Sequence, residues 1–313
     1  MHDHERFLWG LCYRMTGVAA DADELVQETF QRALEKPPRD AALPLKPWLT
    51  QVAVNLARDR LRRRKREGYE GPWLPSPIDT ADEPPPSVEP RDTEGRYDLM
   101  ESVSFAFLLA LEALNPKQRA VLLLRDVFDY SVKETAEALD VAEANVKVIH
   151  HRARAAMGAY ERARLRPTAD AKERHRVALE RFLAALVSGD VPAVEAMLAD
   201  SVVHLSDGGG EYYSAKVPVL GRKRVAAFML RLIELGGPVD RGELRDLNAL
   251  PALHAAYDYA KPKVAPRFTL QIQLDTEGKI SAIYSVLSTR KLTQLLHPTG
   301  PAHSVGGMAP EQK

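Results

Sequence analysis

The densest chemistry in this sequence is cationic. Seven of the nine residues 58–66 are Lys or Arg. They end a stretch that begins as an amphipathic helix, with Leu49, Val52, Ala53, Leu56 and Arg60 on one side. The apolar half anchors the helix to a core; the charged half cannot be buried unpaired. A cationic helix end suits a polyanion, and nucleic acid is the most available one. The bland alternative is a solvated charge run. Asn55 lies between the two halves, and its amide both donates and accepts, as reading a base edge requires. Arg58, Arg62, Arg63 and Lys65 are suited to phosphates, which set affinity and salt dependence rather than sequence preference.

A second cationic group follows a three-residue turn. Residues 132–139 read as a helix, with Ser131 as N-cap and Glu134 three residues on, a capping box. Asp140-Val141-Ala142 then leads into a helix over about 143–165 that carries Lys147, His150, His151, Arg152 and Arg154. That spacing is a helix-turn-helix signature, its alternative being an αα-hairpin with a charged outer face. Glu143, Asn145, Lys147 and Val148 lie near the helix start, where base edges are reached; His151, Arg152 and Arg154 suit the backbone. A third group, His204, Asp207, Tyr212, Tyr213, Asp258 and Tyr259, holds acids, bases and phenols but no compact acid–base motif. Strand alternation sends His204 and Ser206 to one face and Asp207 to the other. Neither a catalytic residue nor a metal site is expected, and no cofactor.

The bulk numbers fit this picture. A chain of 313 residues suggests two or three domains. Lys plus Arg and Asp plus Glu both number 43, so net charge is zero, but the charges are segregated. A single cysteine, Cys12, excludes an internal disulfide framework and suits a reducing cytoplasm. No signal-peptide pattern opens the chain, and no apolar run approaches membrane-spanning length.

Residues 1–66 read as helical. A helix over 6–16 carries Phe7, Leu8, Leu11, Cys12 and Met15 at helical spacing and is closed by Gly17. The next, over 21–36, has acids in its first turn. Prolines 37, 38, 44 and 47 frame a loop before the basic helix. Residues 67–101 hold seven prolines and ten acids but two basic residues, a linker composition. Within it lies one apolar island, Trp73-Leu74-Pro75, expected to dock on something. Residues 102–166 are helical again, with a stop and restart at Asn115-Pro116 and a helix over 118–128. Residues 172–296 mix helices over 173–187, 191–198 and 221–235 with strands over 201–206, 244–250, 254–259, 267–275 and 279–288. This is an α+β order of helices packed on a curved antiparallel sheet. Asp207-Gly208-Gly209-Gly210 reads as a flexible loop, with glycines at positive φ or in close contact with another surface, its alternative being a plain strand-ending turn. Residues 297–313 read as a disordered tail.

Three segments together carry a family resemblance. Asp21-Ala22-Asp23-Glu24-Leu25-Val26-Gln27-Glu28-Thr29-Phe30 resembles the helix with which sigma-70-type factors grip core RNA polymerase. Trp48 to Leu61 resembles their −10 promoter-reading helix, and Leu122 through Arg154 their −35-binding helix-turn-helix. With regions 2 and 4 and nothing but a linker between, the chain resembles an extracytoplasmic-function sigma factor. Trp73-Leu74-Pro75 and Asp207-Gly208-Gly209-Gly210 are similar to signatures of the subgroup with a SnoaL-like C-terminal extension, a cone-shaped regulatory module fused in cis. Glu211 stands where that subgroup has a basic residue, and its later Asn-Pro-Asp-Lys-Leu motif occurs only as Ser288-Thr289-Arg290-Lys291-Leu292. The resemblance implies two all-α sigma domains plus an α+β SnoaL-like cone. It implies promoter recognition and −10 melting, with core polymerase (beta and beta-prime subunits) and promoter DNA as partners and no membrane. Asn55 would meet a −10 base, with the 37–47 loop forming its pocket; Leu25, Gln27, Glu28 and Phe30 would face polymerase, with a place in the core the equal alternative for Leu25 and Phe30. Trp73, Leu74, Pro75 and Asp207 to Gly210 would be regulatory, with a small hydrophobic ligand conceivable in the cone. The rival readings are a SnoaL-like enzyme with a DNA-binding appendage and a plain helix-turn-helix regulator.

Overall fold

The computed structural model describes residues 2–35, 45–81, 96–259 and 262–298. The chain forms two compact units. One holds residues 1–68 and 82–165; the other holds 69–81 and 166–313. Thirteen residues of the linker therefore belong to the second unit, between two segments of the first.

In the first unit, α1 (His2–Thr16), α2 (Ala19–Glu35) and α3 (Leu45–Glu67) pack on one another. The apolar stripe of α1 is buried as its spacing requires, and Gly17, at φ +70°, ends it by donating to the Tyr13 carbonyl. On α3, Leu49, Ala53, Leu56, Ala57 and Leu61 are buried, but so are Thr50 and Val54. The second buried side exists because α3 also packs on α5 and α6. The 37–47 loop lies outside the described residues except for 45–47, which begin α3.

The remainder of this unit is α4 (Phe105–Ala110), α5 (Pro116–Asp126), α6 (Val132–Leu139), α7 (Glu143–Ala156) and α8 (Gly158–Arg162). Asn115 caps α5 with Pro116 at its first position, and Ser131 with Glu134 caps α6 in both directions, at 3.1 and 2.7 Å. The single helix expected over 143–165 is broken instead at Met157. Gly158 weakens the helix there. The turn brings the Tyr160 hydroxyl 2.6 Å from Glu101, a buried carboxylate that also takes Arg164 at 2.6 Å.

The second unit has α9 (Ala169–Ser188), α10 (Val191–Met197) and α11 (Arg222–Gly236) against a six-stranded sheet. The strands are β1 (Leu198–Asp207), β2 (Val219–Leu220), β3 (Arg241–Leu247), β4 (Leu250–Ala256), β5 (Arg267–Leu274) and β6 (Ile280–Val286). Their order is β2-β1-β6-β5-β4-β3, antiparallel except for β1 with β6. Leu253, Leu270, Ile272 and Ile283 face the helices and join Phe182, Leu186 and Met229 in one core. The strand expected over 244–250 is in fact the end of β3 and the start of β4. Asn248 and Ala249 turn the chain between them at φ +50° and +71°. An alanine in left-handed backbone carries no turn signature, which is why sequence reading runs through it.

Candidate nucleic-acid interface and docked linker

On α3 the cations divide by helical spacing. Arg60 and Arg64 continue the buried stripe by steps of four and turn onto protein. Arg60 pairs with Asp21 at 2.5 Å and Glu24 at 2.6 Å; Arg64 donates to the Thr16 carbonyl at 3.0 Å and to Glu112 at 2.6 Å. Arg62, Arg63, Lys65 and Arg66 face solvent. Asn55 is exposed, and half-buried Arg58 donates to its Oδ1 at 3.2 Å. That contact orients the Asn55 amide about two turns before the solvent-facing cations, of which Arg62 pairs with Asp59 at 3.1 Å.

On α7, Val146 and Ala153 are core, while Asn145, Lys147, Val148, His151 and Arg152 line the free face. Arg154 does not join them. Its guanidinium lies on Asp126, at 2.5 and 3.1 Å, and His150 Nε2 meets the same carboxylate at 2.9 Å. The expected contact of Arg154 with DNA backbone would compete with this ion pair, although the side chain stays 42% exposed. Burial works to raise the Asp126 carboxyl, but hydrogen bonds from His150 and Arg154 outweigh it and hold it below the usual value. On α2, Gln27 is exposed, and Glu28 and Phe30 are half-buried. Leu25 is 2% exposed and belongs to the core, the alternative its place on the stripe left open.

The two helical sets of this unit share an interface. Phe7 meets Phe128 edge-on at 5.2 Å and stacks on Tyr130 at 6.0 Å. Thr50 Oγ1 lies 3.2 Å from the Tyr130 hydroxyl. Arg14, fully buried, donates to Ser102 Oγ at 2.8 Å and to the Leu99 carbonyl at 2.9 Å. Arg119 donates to the Met15 and Leu111 carbonyls, both at 2.7 Å. One of these acceptors, the Met15 carbonyl, lies in the last turn of α1 and has no partner within that helix.

In the second unit, residues 69–81 form a strap along the sheet. Leu74 through Ile78 and Thr80 are buried. The Leu74 N–H donates to Asp207 at 2.7 Å, Ile78 N–H to Asn248 Oδ1 at 2.9 Å and Thr80 N–H to the Asp246 carbonyl at 2.8 Å. Pro75 and Pro77 have no N–H to satisfy, so buried extended backbone is tolerated there. Asp207 also takes the Tyr69 hydroxyl at 2.6 Å and Lys291 Nζ at 2.6 Å. Trp73 and Tyr69 each place a ring 4.6 Å from that Nζ. Gly209, at φ +56°, leaves room for Ser288, whose Oγ would lie 2.7 Å from an added Cβ; the Glu70 carboxylate of the strap stands 2.8 Å from one at Gly210. Thus Trp73, Leu74, Pro75 and the Asp207–Gly210 loop come together.

His204 and Ser206 face the helices and Asp207 the strap, as alternation requires. His204 Nε2 meets Ser285 Oγ at 3.0 Å, and burial pushes the imidazole down to about 4. Tyr212 bonds Thr289, Asp258 pairs with Arg241, and Tyr213 and Tyr259 are exposed. These six side chains converge on no common point.

Comparison with known proteins agrees with this arrangement. Residues 1–67 match the family model for sigma-70 region 2, and residues 104–157 that for sigma-70, region 4. The ECF RNA polymerase sigma factor SigJ of Mycobacterium tuberculosis is 32% identical over 297 residues, covering 91% of this chain and 90% of the relative. The chain belongs to the extracytoplasmic-function RNA polymerase sigma factors. SigG from the same organism is 33% identical, covering 69% of this sigma factor and 63% of its own length. The crystal structure of SigJ superposes with a TM-score of 0.68 at 26% identity, covering 93% of this chain and 96% of that one. The match therefore extends over both sigma regions and the sheet domain of the sigma factor, whose activity is promoter-directed transcription initiation.

Sequence reading of the sigma factor missed Arg14, Arg119, Tyr69 and Lys291. The two arginines looked like ordinary helix-surface cations. Lys291 stood in a motif singled out only for its divergence, and nothing local announced its burial.

Proposed function

We propose that this sigma factor holds its two promoter-reading elements together when free and separates them on promoters, with the sheet domain acting in cis through the strap. The observation that carries this reading is the interface of Phe7, Arg14, Met15 and Thr50 with Ser102, Arg119, Phe128 and Tyr130. The −10 and −35 elements lie about 25 base pairs apart, roughly 85 Å at 3.4 Å per pair. A compact unit of this size has a radius of gyration of about 15 Å, too small to span them. Opening is therefore required, and polymerase binding to α2 supplies the differential affinity that drives it. Once open, Asn55 reads a −10 base, Arg58, Arg62, Arg63 and Lys65 take phosphates, and Asn145, Lys147, His151 and Arg152 meet the −35 element. The sheet domain regulates and performs no reaction, and the work is done where core polymerase and DNA are found, in the cytoplasm.

Strap docking bears on the opening through connectivity. With the strap down, residue 68 and residue 166 are both tied directly to the sheet domain, whose diameter is about 40 Å. With the strap free, 27 residues join the two sigma regions, a contour of about 90 Å. Run-off transcription with core polymerase tests the reading, using the full chain and a chain ending at residue 167. Removal of the sheet domain is expected to change promoter-dependent transcript severalfold; unchanged transcript from a folded truncated chain would sink the regulatory role. A chain that fails to retain core polymerase in a pull-down would sink the reading as a whole.

A further inference from the structure

Lys291 is 4% exposed. Lysines are almost never buried unless paired, because a desolvated ammonium costs several kcal/mol. The pairing here is unusually complete. Nζ lies 2.6 Å from Asp207 Oδ2, donates to the Leu74 carbonyl, and faces the rings of Tyr69 and Trp73 at 4.6 Å each. A carboxylate, a carbonyl and two ring faces are the features that recognise an alkylammonium group. Three of the four lie on the strap; only Asp207 lies on the sheet. The short helical turn Thr289–Lys291 that presents the lysine is braced by the glycine loop: Ser288 Oγ donates to Glu211 at 2.7 Å, and the Tyr212 hydroxyl meets Thr289 Oγ1 at 2.9 Å.

We infer that Tyr69, Trp73, the Leu74 carbonyl and Asp207 form an alkylammonium-binding cage, filled in cis by Lys291, and that its occupancy holds the strap on the sheet domain. The asymmetry of the parts makes the lysine decisive. If the strap leaves, Lys291 and Asp207 are wetted together and neither charge is stranded. If the ammonium is removed while the strap stays, Asp207 is buried with only neutral donors, the Tyr69 hydroxyl and the N–H groups of Leu74 and Gly209. Loss of the cation therefore drives the strap off rather than the sheet apart. Glu211 fits the same scheme: it engages Ser288 and leaves Asp207 to Lys291. This inference names the chemistry of the regulatory contact proposed above, but stands or falls on strap docking alone.

Amide hydrogen exchange on the full-length protein tests it. The Leu74 amide reports the cage and the Leu270 and Ile283 amides report the sheet. Lys291→Met, which keeps most of the volume without the charge, should speed Leu74 exchange at least 10-fold with the sheet amides unchanged. Lys291→Ala should do the same, and n-propylammonium, which supplies the deleted atoms, should restore protection at tens of millimolar; n-propanol should not. Wild-type Leu74 protection in Lys291→Met would overturn the inference. So would a strap released in Lys291→Ala that n-propylammonium fails to restore, since the lysine would then serve only to pack its turn. If exchange behaves as expected but transcription does not respond to the sheet domain, the cage stands and regulation in cis falls.

Discussion

Replacing Arg119 by methionine should loosen the junction between the two sigma regions by an amount the contacts define. The guanidinium is 3% exposed and supplies the Met15 and Leu111 carbonyls, each at 2.7 Å, besides Glu112 at 2.9 Å. Methionine keeps most of the aliphatic volume, so the cavity contribution is small. The Met15 carbonyl is left without a donor, at about 1–3 kcal/mol, while the Leu111 carbonyl keeps the Leu114 N–H at 3.0 Å. Glu112 retains Arg64 at 2.6 Å and adds little. The expected loss is about 2 kcal/mol, a sizeable share of the roughly 5–15 kcal/mol available to a domain. For a unit of this size each kcal/mol moves the midpoint by about 2–4 °C, so the shift is about 4–8 °C. Thermal unfolding followed by hydrogen exchange of α1 and α5 amides separates this unit from the sheet. A shift under about 2 °C would refute the reasoning, because it would mean that water satisfies the Met15 carbonyl and that the junction is wet.

Four further outcomes are expected. Asn55→Ala should lower open-complex formation on promoter DNA at least 10-fold, measured by permanganate footprinting, while core-polymerase binding persists; lost polymerase binding would mark Asn55 as structural. Arg152→Ala should weaken binding to −35 duplex and reduce the slope of log affinity against log salt by about one, with sequence preference kept. Gly209→Ala, at φ +56° and 2.7 Å from Ser288 Oγ, should cost about 1–2 kcal/mol of sheet-unit stability in urea unfolding, with the Ser288–Glu211 bond broken. For pH, burial holds His204 down at about 4 against an ordinary 6.5. Between those values the unfolded chain takes up a proton that the folded chain refuses, so stability falls as pH drops from about 6.5 to 4, by about 3 kcal/mol in all. His204→Gln should flatten urea midpoints measured across that window, and an unchanged slope would refute the assignment.

Local order was legible in the residues; long-range charge was not. The helix 132–139 was placed to the residue because a capping box is read over four positions. Helical spacing also marked Leu49, Ala53 and Leu56 as buried, and alternation placed His204 and Asp207 on opposite faces. Leu25 lies on the same stripe logic, yet core and partner are equal readings of it, since an apolar stripe does not say which apolar surface covers it. The Asn248-Ala249 turn was hidden because its left-handed backbone is imposed by tertiary contacts, including the Ile78 N–H on the Asn248 side chain. Lys291 and Leu74 are 217 positions apart. No periodicity connects them, so a buried lysine in a charged, polar stretch reads as a surface one.

The insertion of residues 69–81 into the second unit has a consequence for how the chain is made. The strap leaves the ribosome early, but its clasp at Lys291 lies 210 residues beyond Ala81. At about 5–20 residues per second, that gap lasts roughly 10–40 s. Each new molecule therefore passes through an interval in which both sigma regions are already made and the strap has nothing to hold. Synthesis itself sets a brief unclasped stage at the start of every molecule's life, before any signal acts.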